Sequence, residues 1–286
     1  MFFLFRVLNW LPLPLLHNLG ALMGWLVWLL SSSYRRLLRD NLAQAGLSEY
    51  RNEAIVAAGQ MIFELPKIWL RPQDELMERV VRVSGQEHVE AAWAAGKGIL
   101  YLTPHLGCFE ITAQYLASHR PITVLYRAPR QAWLQDLYKA GRAANLKIAA
   151  ADMSGVRTLL KALRAGESIG MLPDQVPGNG EGVWAPFFGR PAYSMTLAAR
   201  MADAGASVFL TYAERLPYGA GYHVHFLPLG APLSGSTEDK VAQLNGEIER
   251  VIRHCPGQYL WGYNRYKHPS GAPLPPPSAP RTGLEP

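Results

Sequence analysis

The stretch TPHLGCFEI, Thr103 to Ile111, places an imidazole and a carboxyl group five positions apart. A histidine aligned by a carboxylate has one ring nitrogen fixed as a donor and the other exposed as a base. Such a base can take the proton of a hydroxyl as it attacks an acyl carbon. On one regular helix, five residues would put His105 and Glu110 about 140° apart, so the pairing requires a helix that begins between them. Pro104 biases Thr103 toward extended backbone, Gly107 permits a tight turn, and the helix can start near Cys108. His105 then lies in a loop after a strand, and Glu110 on the first helical turns is expected to reach back to one ring nitrogen. The amides at the new helix N-terminus suit an oxyanion or a phosphate. The alternative for so short a pattern is a turn-capping histidine beside a solvated glutamate.

The flanking sequence supplies that strand and helix. GILYL at 98–102, ITVLY at 122–126, KIAA at 147–150, SIGML at 168–172 and ASVFLTY at 206–212 are short apolar runs with β-branched or aromatic residues. Helical stretches fall between them at 131–143, 154–165 and 194–204. The alternation predicts an α/β fold whose helices cover both faces of the sheet, and open sheets of this kind place ligand crevices at the carboxyl ends of their strands. YHVHFLPL alternates like a half-buried antiparallel strand and 237–253 reads as a helix, so the sheet is expected to be mixed but mostly parallel. Residues 48–70 read as an amphipathic helix bent at Pro66.

The chain has 286 residues, 49% hydrophobic and 17% charged, with a net charge of +6 and a pI near 9.3. That length accommodates one large domain, and so apolar a composition fits membrane association. From Leu11 to Leu30 the polar side chains are His17 and Asn18, and Arg35, Arg36 and Arg39 follow. About 20 such residues cross a hydrocarbon core, while Pro12, Pro14, His17 and Asn18 leave open a helix lying in the interface. Residues 1–34 are thus expected to form a membrane anchor, with the following arginines on the cytoplasmic side. Gly20 and Gly24 form a GxxxG spacing, a short sign of helix packing. Residues 35–267 form the expected catalytic domain, and 268–286, with seven prolines, a disordered tail. Two cysteines exclude a disulfide framework. The basic surface suits anionic partners, but no clustered basic run or finger points to nucleic acid.

TPHLGCFE resembles the HX4(D/E) motif of glycerolipid and lipid A acyltransferases. LPDQVPGNGEGVWAPFFGRPAYSMTLAARMA, Leu172 to Ala202, and the closing QYLWGYNRYK are similar to further blocks of one branch, the late acyltransferases of lipid A biosynthesis of lauroyl or myristoyl type. The resemblance implies a glycerol-3-phosphate acyltransferase-like fold at the inner membrane. It also implies transfer of a fatty acyl group from acyl carrier protein to a hydroxyl of a lipid A precursor or related glycolipid, without a further cofactor. His105 would be the base and Glu110 its orienting partner. Cys108 and Phe109 stand where many relatives have Asn and Trp, which bears on acceptor and acyl length.

Arg127 and Arg130, after the second strand, are expected at the same sheet edge, where a guanidinium could bind an acceptor phosphate or the carrier's phosphopantetheine; the alternative is a solvated loop. Asp174 and Gln175 follow another strand and are candidates to line the crevice, with a simple turn as the alternative for Asp174. Arg190 is a candidate anion contact, Phe187 and Phe188 an acyl-chain wall or core, and Trp261 and Arg265 either close the site or dock the final segment. Cys108 as an acylated nucleophile is the lesser alternative to direct attack. His223 and His225 alternate on one strand face, a spacing seen in metal sites, but no neighbouring carboxylate or cysteine pattern completes one and no metal is expected. Competing functions are acylation of a lysophospholipid or another glycolipid, a thioesterase, and a non-catalytic lipid-binding protein.

Overall fold

The computed structural model describes residues 2–126, 146–178 and 180–276. The N-terminal third is helical: α1 (Phe2–Trp10), α2 (Leu13–Leu30), α3 (Ser32–Ala45), α4 (Arg51–Phe63), α5 (Leu65–Leu70) and α6 (Gln73–Met77). Ser31 ends α2 and caps α3, its hydroxyl accepting from the Tyr34 amide at 3.3 Å. The single bent helix expected over 48–70 is instead a short turn at Ser48–Tyr50 followed by α4 and α5. Pro66 is the cause, since it lacks an N–H and its ring clashes with the preceding turn, so it is accommodated where a new helix starts.

Helix α2 is long and apolar enough to cross a bilayer, with a mean hydropathy of 1.5, yet one of its faces belongs to the protein interior. A Cβ on Gly59 of α4 would lie 1.8 Å from the Gly20 carbonyl oxygen, and one on Gly24 would lie 2.1 Å from that of Ile55. The GxxxG spacing therefore serves an intramolecular helix contact. The opposite face exposes Leu22, Leu26, Leu29 and Leu30, continuing the exposed Phe3 and Trp10 of α1.

The remaining elements are β1 (Val80–Ser84), α7 (Gln86–Ala94), β2 (Ile99–Leu102), α8 (Phe109–His119), β3 (Ile122–Tyr126), β4 (Leu146–Ala150), α9 (Met153–Arg164), β5 (Ser168–Met171), β6 (Gly182–Phe187), β7 (Arg190–Met195), α10 (Leu197–Ala202), β8 (Ser207–Arg215), β9 (Tyr222–Pro228) and α11 (Thr237–Ile252). Seven strands form one sheet in the order β1-β9-β8-β2-β5-β3-β4. All its pairings are parallel except β8 with β9, so the sheet is mixed and mostly parallel as expected. Each apolar run became a strand; in the middle of the sheet both faces are covered, and every residue of β2 and β5 is buried. Successive side chains feed opposite cores, Leu100, Leu102, Ile169 and Leu210 on one face and Ile99, Tyr101 and Phe209 on the other.

Two features depart from expectation. β1 is an added edge strand, and β6 with β7 forms a separate antiparallel hairpin, which takes up Ser194 and Met195 and shortens the expected helix 194–204 to α10. Residues 268–276 lie against Trp184: the indole donates to the Pro273 carbonyl at 2.8 Å and stacks on the His268 ring at 5.8 Å. The helix expected at 131–143, with Arg127 and Arg130, lies outside the described residues.

Candidate active site

β2 and β5 are neighbours running in parallel, so the loops after them emerge at the same edge. This brings together residues 69 positions apart. The His105 amide donates to Asp174 Oδ2 at 3.0 Å and its Nδ1 pairs with Asp174 Oδ1 at 2.8 Å. Asp174 is 2% exposed. Burial pushes its carboxyl up, but the electrostatic pull of the His105 ring and the bonds from that ring and from the His105 amide outweigh this and hold it below the usual carboxylate range. An ionised carboxylate only accepts, so Nδ1 carries the proton and Nε2 presents its lone pair, which accepts from the Gln175 side-chain amide at 3.1 Å. The imidazole leans on Phe109, ring centroids 4.8 Å apart.

The carboxylate that aligns His105 is thus Asp174 and not Glu110. Helix α8 does begin between His105 and Glu110, but both ring nitrogens are already engaged, and Glu110 Oε2 accepts from the Trp69 indole at 3.2 Å. Asp174 and Gln175, from the loop after β5, both bond His105 directly.

The loop carrying His105 is stitched to two other segments. Gly107 has φ +61°, and a Cβ there would lie 1.9 Å from the Ala213 carbonyl oxygen, so both conformation and space demand glycine. The Cys108 amide donates to the Ala213 carbonyl at 2.7 Å, the Gly107 amide to that of Gln258 at 3.1 Å, and the Leu260 amide to that of His105 at 3.0 Å. Arg215, at the end of β8, donates to the Gly107 carbonyl at 2.7 Å and to both oxygens of Glu64 at 2.6–2.9 Å. Tyr222 also donates to Glu64, at 3.0 Å, and His17 of α2 lies 3.4 Å from it. Burial opposes ionisation of Glu64, but the Arg215 charge prevails and holds its carboxyl low. This buried network, which ties α2 to the catalytic loop, had no signal in the sequence.

Cys108 is 1% exposed, and burial pushes its thiol well up, as does the neighbouring Glu64 charge. That is the state of an inert packing residue and not of a nucleophile. Phe187 and Phe188 pack in the main core with Trp261. Arg265 is 3% exposed and donates to the Tyr193 carbonyl at 2.8 Å and the Ser194 hydroxyl at 2.5 Å. It docks the final segment onto β7, and its charge also helps to hold the Asp174 carboxyl low. Arg190 lies over the Tyr266 ring at 4.5 Å. Its strand pairs Arg190 with Phe187 at one end of the hairpin and Met195 with Gly182 at the other, which puts Arg190 about 17 Å along the hairpin from that end. The closing segment also supplies Tyr263, whose hydroxyl accepts from the Val176 amide at 2.9 Å and fixes the loop after Gln175. Away from His105, β8 brings Glu214 beside His223 and His225, supplying the carboxylate that the local sequence lacks.

A carboxylate-aligned imidazole at the carboxyl edge of a mostly parallel sheet, beside a helix N-terminus, is an arrangement that can do general-base chemistry on a hydroxyl. The family model described as bacterial lipid A biosynthesis acyltransferase matches residues 1–268, and the chain belongs to that family. Two relatives come from Escherichia coli K12. Its lipid A biosynthesis lauroyltransferase is 28% identical over 92% of this chain and 89% of its own, and its lipid A biosynthesis palmitoleoyltransferase is 24% identical over 90% and 86%. A lipid A biosynthesis acyltransferase of Haemophilus influenzae is 26% identical over 92% and 88%. The chain is an acyltransferase of lipid A biosynthesis.

Proposed function

We propose that the chain transfers a fatty acyl group from the thioester of acyl carrier protein to a free hydroxyl of a lipid A precursor, with His105 as the base and Asp174 as its orienting group. The acceptor hydroxyl replaces the Gln175 amide at Nε2. Its proton moves to Nε2 as its oxygen bonds to the thioester carbon. The N-terminal end of α8, where the helix dipole favours negative charge, is assigned to the developing oxyanion. The C–S bond then breaks and the thiolate takes the proton from the imidazolium, leaving ester and thiol. No covalent enzyme intermediate and no cofactor enter this sequence. Glu110, on the same helical turn, is assigned to positioning the acceptor. The observation that carries the reading is the 2.8 Å His105–Asp174 contact in a chain matched by the family model from residue 1 to 268.

The same reading places the protein at the inner membrane with its catalytic domain on the cytoplasmic side. It is supported by the exposed apolar faces of α1 and α2 and by Arg35, Arg36 and Arg39 just beyond them. An 18-residue helix is about 27 Å long, and with one face committed to α4 it is suited to lie in or partly enter the leaflet. The net charge of +6 favours an acidic carrier protein.

The test is incubation of purified enzyme with acyl carrier thioester and a lipid A precursor, followed by mass spectrometry. The expected result is an acceptor heavier by one acyl chain. Fatty acid release at a rate indifferent to acceptor would make the protein a thioesterase and overturn the proposal.

A further inference from the structure

The antiparallel pairing of β8 with β9 sets Glu214 directly opposite His223 and diagonal to His225, all three on one face of the sheet. One ligand atom from each lies within 4.8 Å of the others. Glu214 Oε2 is 3.4 Å from His225 Nε2 and 3.9 Å from His223 Nδ1, and the two rings are 3.8 Å apart.

The surroundings preset the imidazoles for coordination. Ser84 of β1 bonds His223 Nε2 at 2.8 Å; with the proton on that nitrogen, the Nδ1 lone pair is directed at the cluster, the arrangement by which an outer hydrogen bond orients a metal-binding histidine. The His225 ring stacks on Tyr212 at 4.5 Å with 7° between planes, and its buried Nε2 has no hydrogen-bond partner. An orphaned imidazole nitrogen facing a carboxylate calls for an ion or a proton between them. Arg82 is the cation that works against a metal here, and Glu214 supplies the compensating negative charge.

We propose that Glu214, His223 and His225 form a binding site for one divalent transition-metal ion of the zinc class. Two imidazole nitrogens and one carboxylate oxygen suit Zn2+, not Mg2+ or Ca2+, which demand oxygen ligands. Glu214 remains about a third exposed, 35%, which leaves room for water at the fourth position. The ion would clamp β8 to β9 beside Ala213 and Arg215, the residues that hold the catalytic loop. Its role is structural, and the site stands independently of the chemistry assigned to His105.

The test uses full-length, detergent-solubilised, tag-free protein stripped with EDTA and desalted. Zinc titration against a chromogenic chelator should show one equivalent bound per chain, with a rise in melting temperature that Mg2+ does not reproduce. His225→Gln and Glu214→Gln should lose both, Ser84→Ala should weaken binding roughly 10–100-fold, and His88→Gln should bind as wild type. Zinc X-ray absorption on the wild type should report N/O ligands at about 2.0–2.1 Å with imidazole scattering, which keeps the test decisive if a variant misfolds. No uptake at 1:1 stoichiometry, binding unchanged in both His225→Gln and Glu214→Gln, or a spectrum without imidazole would overturn the proposal.

Discussion

Replacing Asp174 by Asn is the perturbation that separates the observed dyad from a His105–Glu110 pair. The asparagine keeps the size of the side chain but can turn its NH2 toward Nδ1, so the imidazole must present a lone pair there and place its proton on Nε2, the atom that has to act as the base. A positioned general base contributes roughly 10²–10⁴ in rate, and forcing the wrong tautomer in a comparable triad costs about 10⁴. The expected loss in kcat is therefore roughly 10²–10⁴, or about 2.7–5.4 kcal/mol, with KM for both substrates little changed. In a His105→Ala background the same substitution should have no further effect, because a group that acts only through an imidazole is silent once the imidazole is gone. The assay is steady-state transfer from acyl carrier thioester, with a thermal melt confirming that each variant is folded. Turnover of Asp174→Asn within about threefold of wild type, or a further large loss in the His105→Ala background, would refute the assignment of Asp174 as the orienting group.

Cys108→Ala should retain turnover within a few fold and cost on the order of 1 kcal/mol in stability, and iodoacetamide should leave Cys108 unlabelled in the native protein; rapid alkylation with loss of activity would contradict its buried, high-pKa state. Glu64→Ala strands the Arg215 guanidinium in the interior and should destabilise by about 3–5 kcal/mol, readable as a lowered denaturant midpoint; a midpoint equal to wild type would show that the network carries no stability. Gly107→Ala combines a left-handed backbone with a Cβ inside the Ala213 carbonyl contact, so activity should be lost together with at least about 1–2 kcal/mol, and a fully active, equally stable variant would mean that the loop adopts another path. Gly59→Leu should pry α2 from α4 and lower both melting temperature and membrane-bound activity, whereas Leu22→Ala, on the exposed face, should leave the melt of detergent-solubilised protein unchanged.

The strands were legible because a mostly parallel sheet buries both faces, so its strands appear as unbroken apolar runs such as ILYL and SIGM. The β6–β7 hairpin was hidden by its prolines: Pro186 faces Pro191 across the pair, and proline demotes a run as a strand except at unpaired edges. His105, Asp174 and Gln175 were each legible as residues of loops that follow strands, but their pairing depends on β2 lying next to β5. That adjacency is set by the whole sheet and not by any local pattern. The five-residue spacing drew attention to Glu110 and not to Asp174, which bonds the ring, since proximity along the chain is visible and proximity across strands is not. The Glu214 cluster was closer to reach, because β8 and β9 are consecutive and aligning Arg215 with Tyr222 places Glu214 opposite His223. The buried Glu64, Arg215 and His17 come from three separate segments and gave no sequence signal.

The central claim is that the His105 imidazole deprotonates the acceptor. The most direct measurement is single-turnover acyl transfer by folded His105→Ala with saturating thioester and lipid A precursor, product being counted by mass spectrometry. Loss of roughly 10² or more in the chemical step, with thioester still bound, is the predicted result. Transfer at close to the wild-type rate would contradict it.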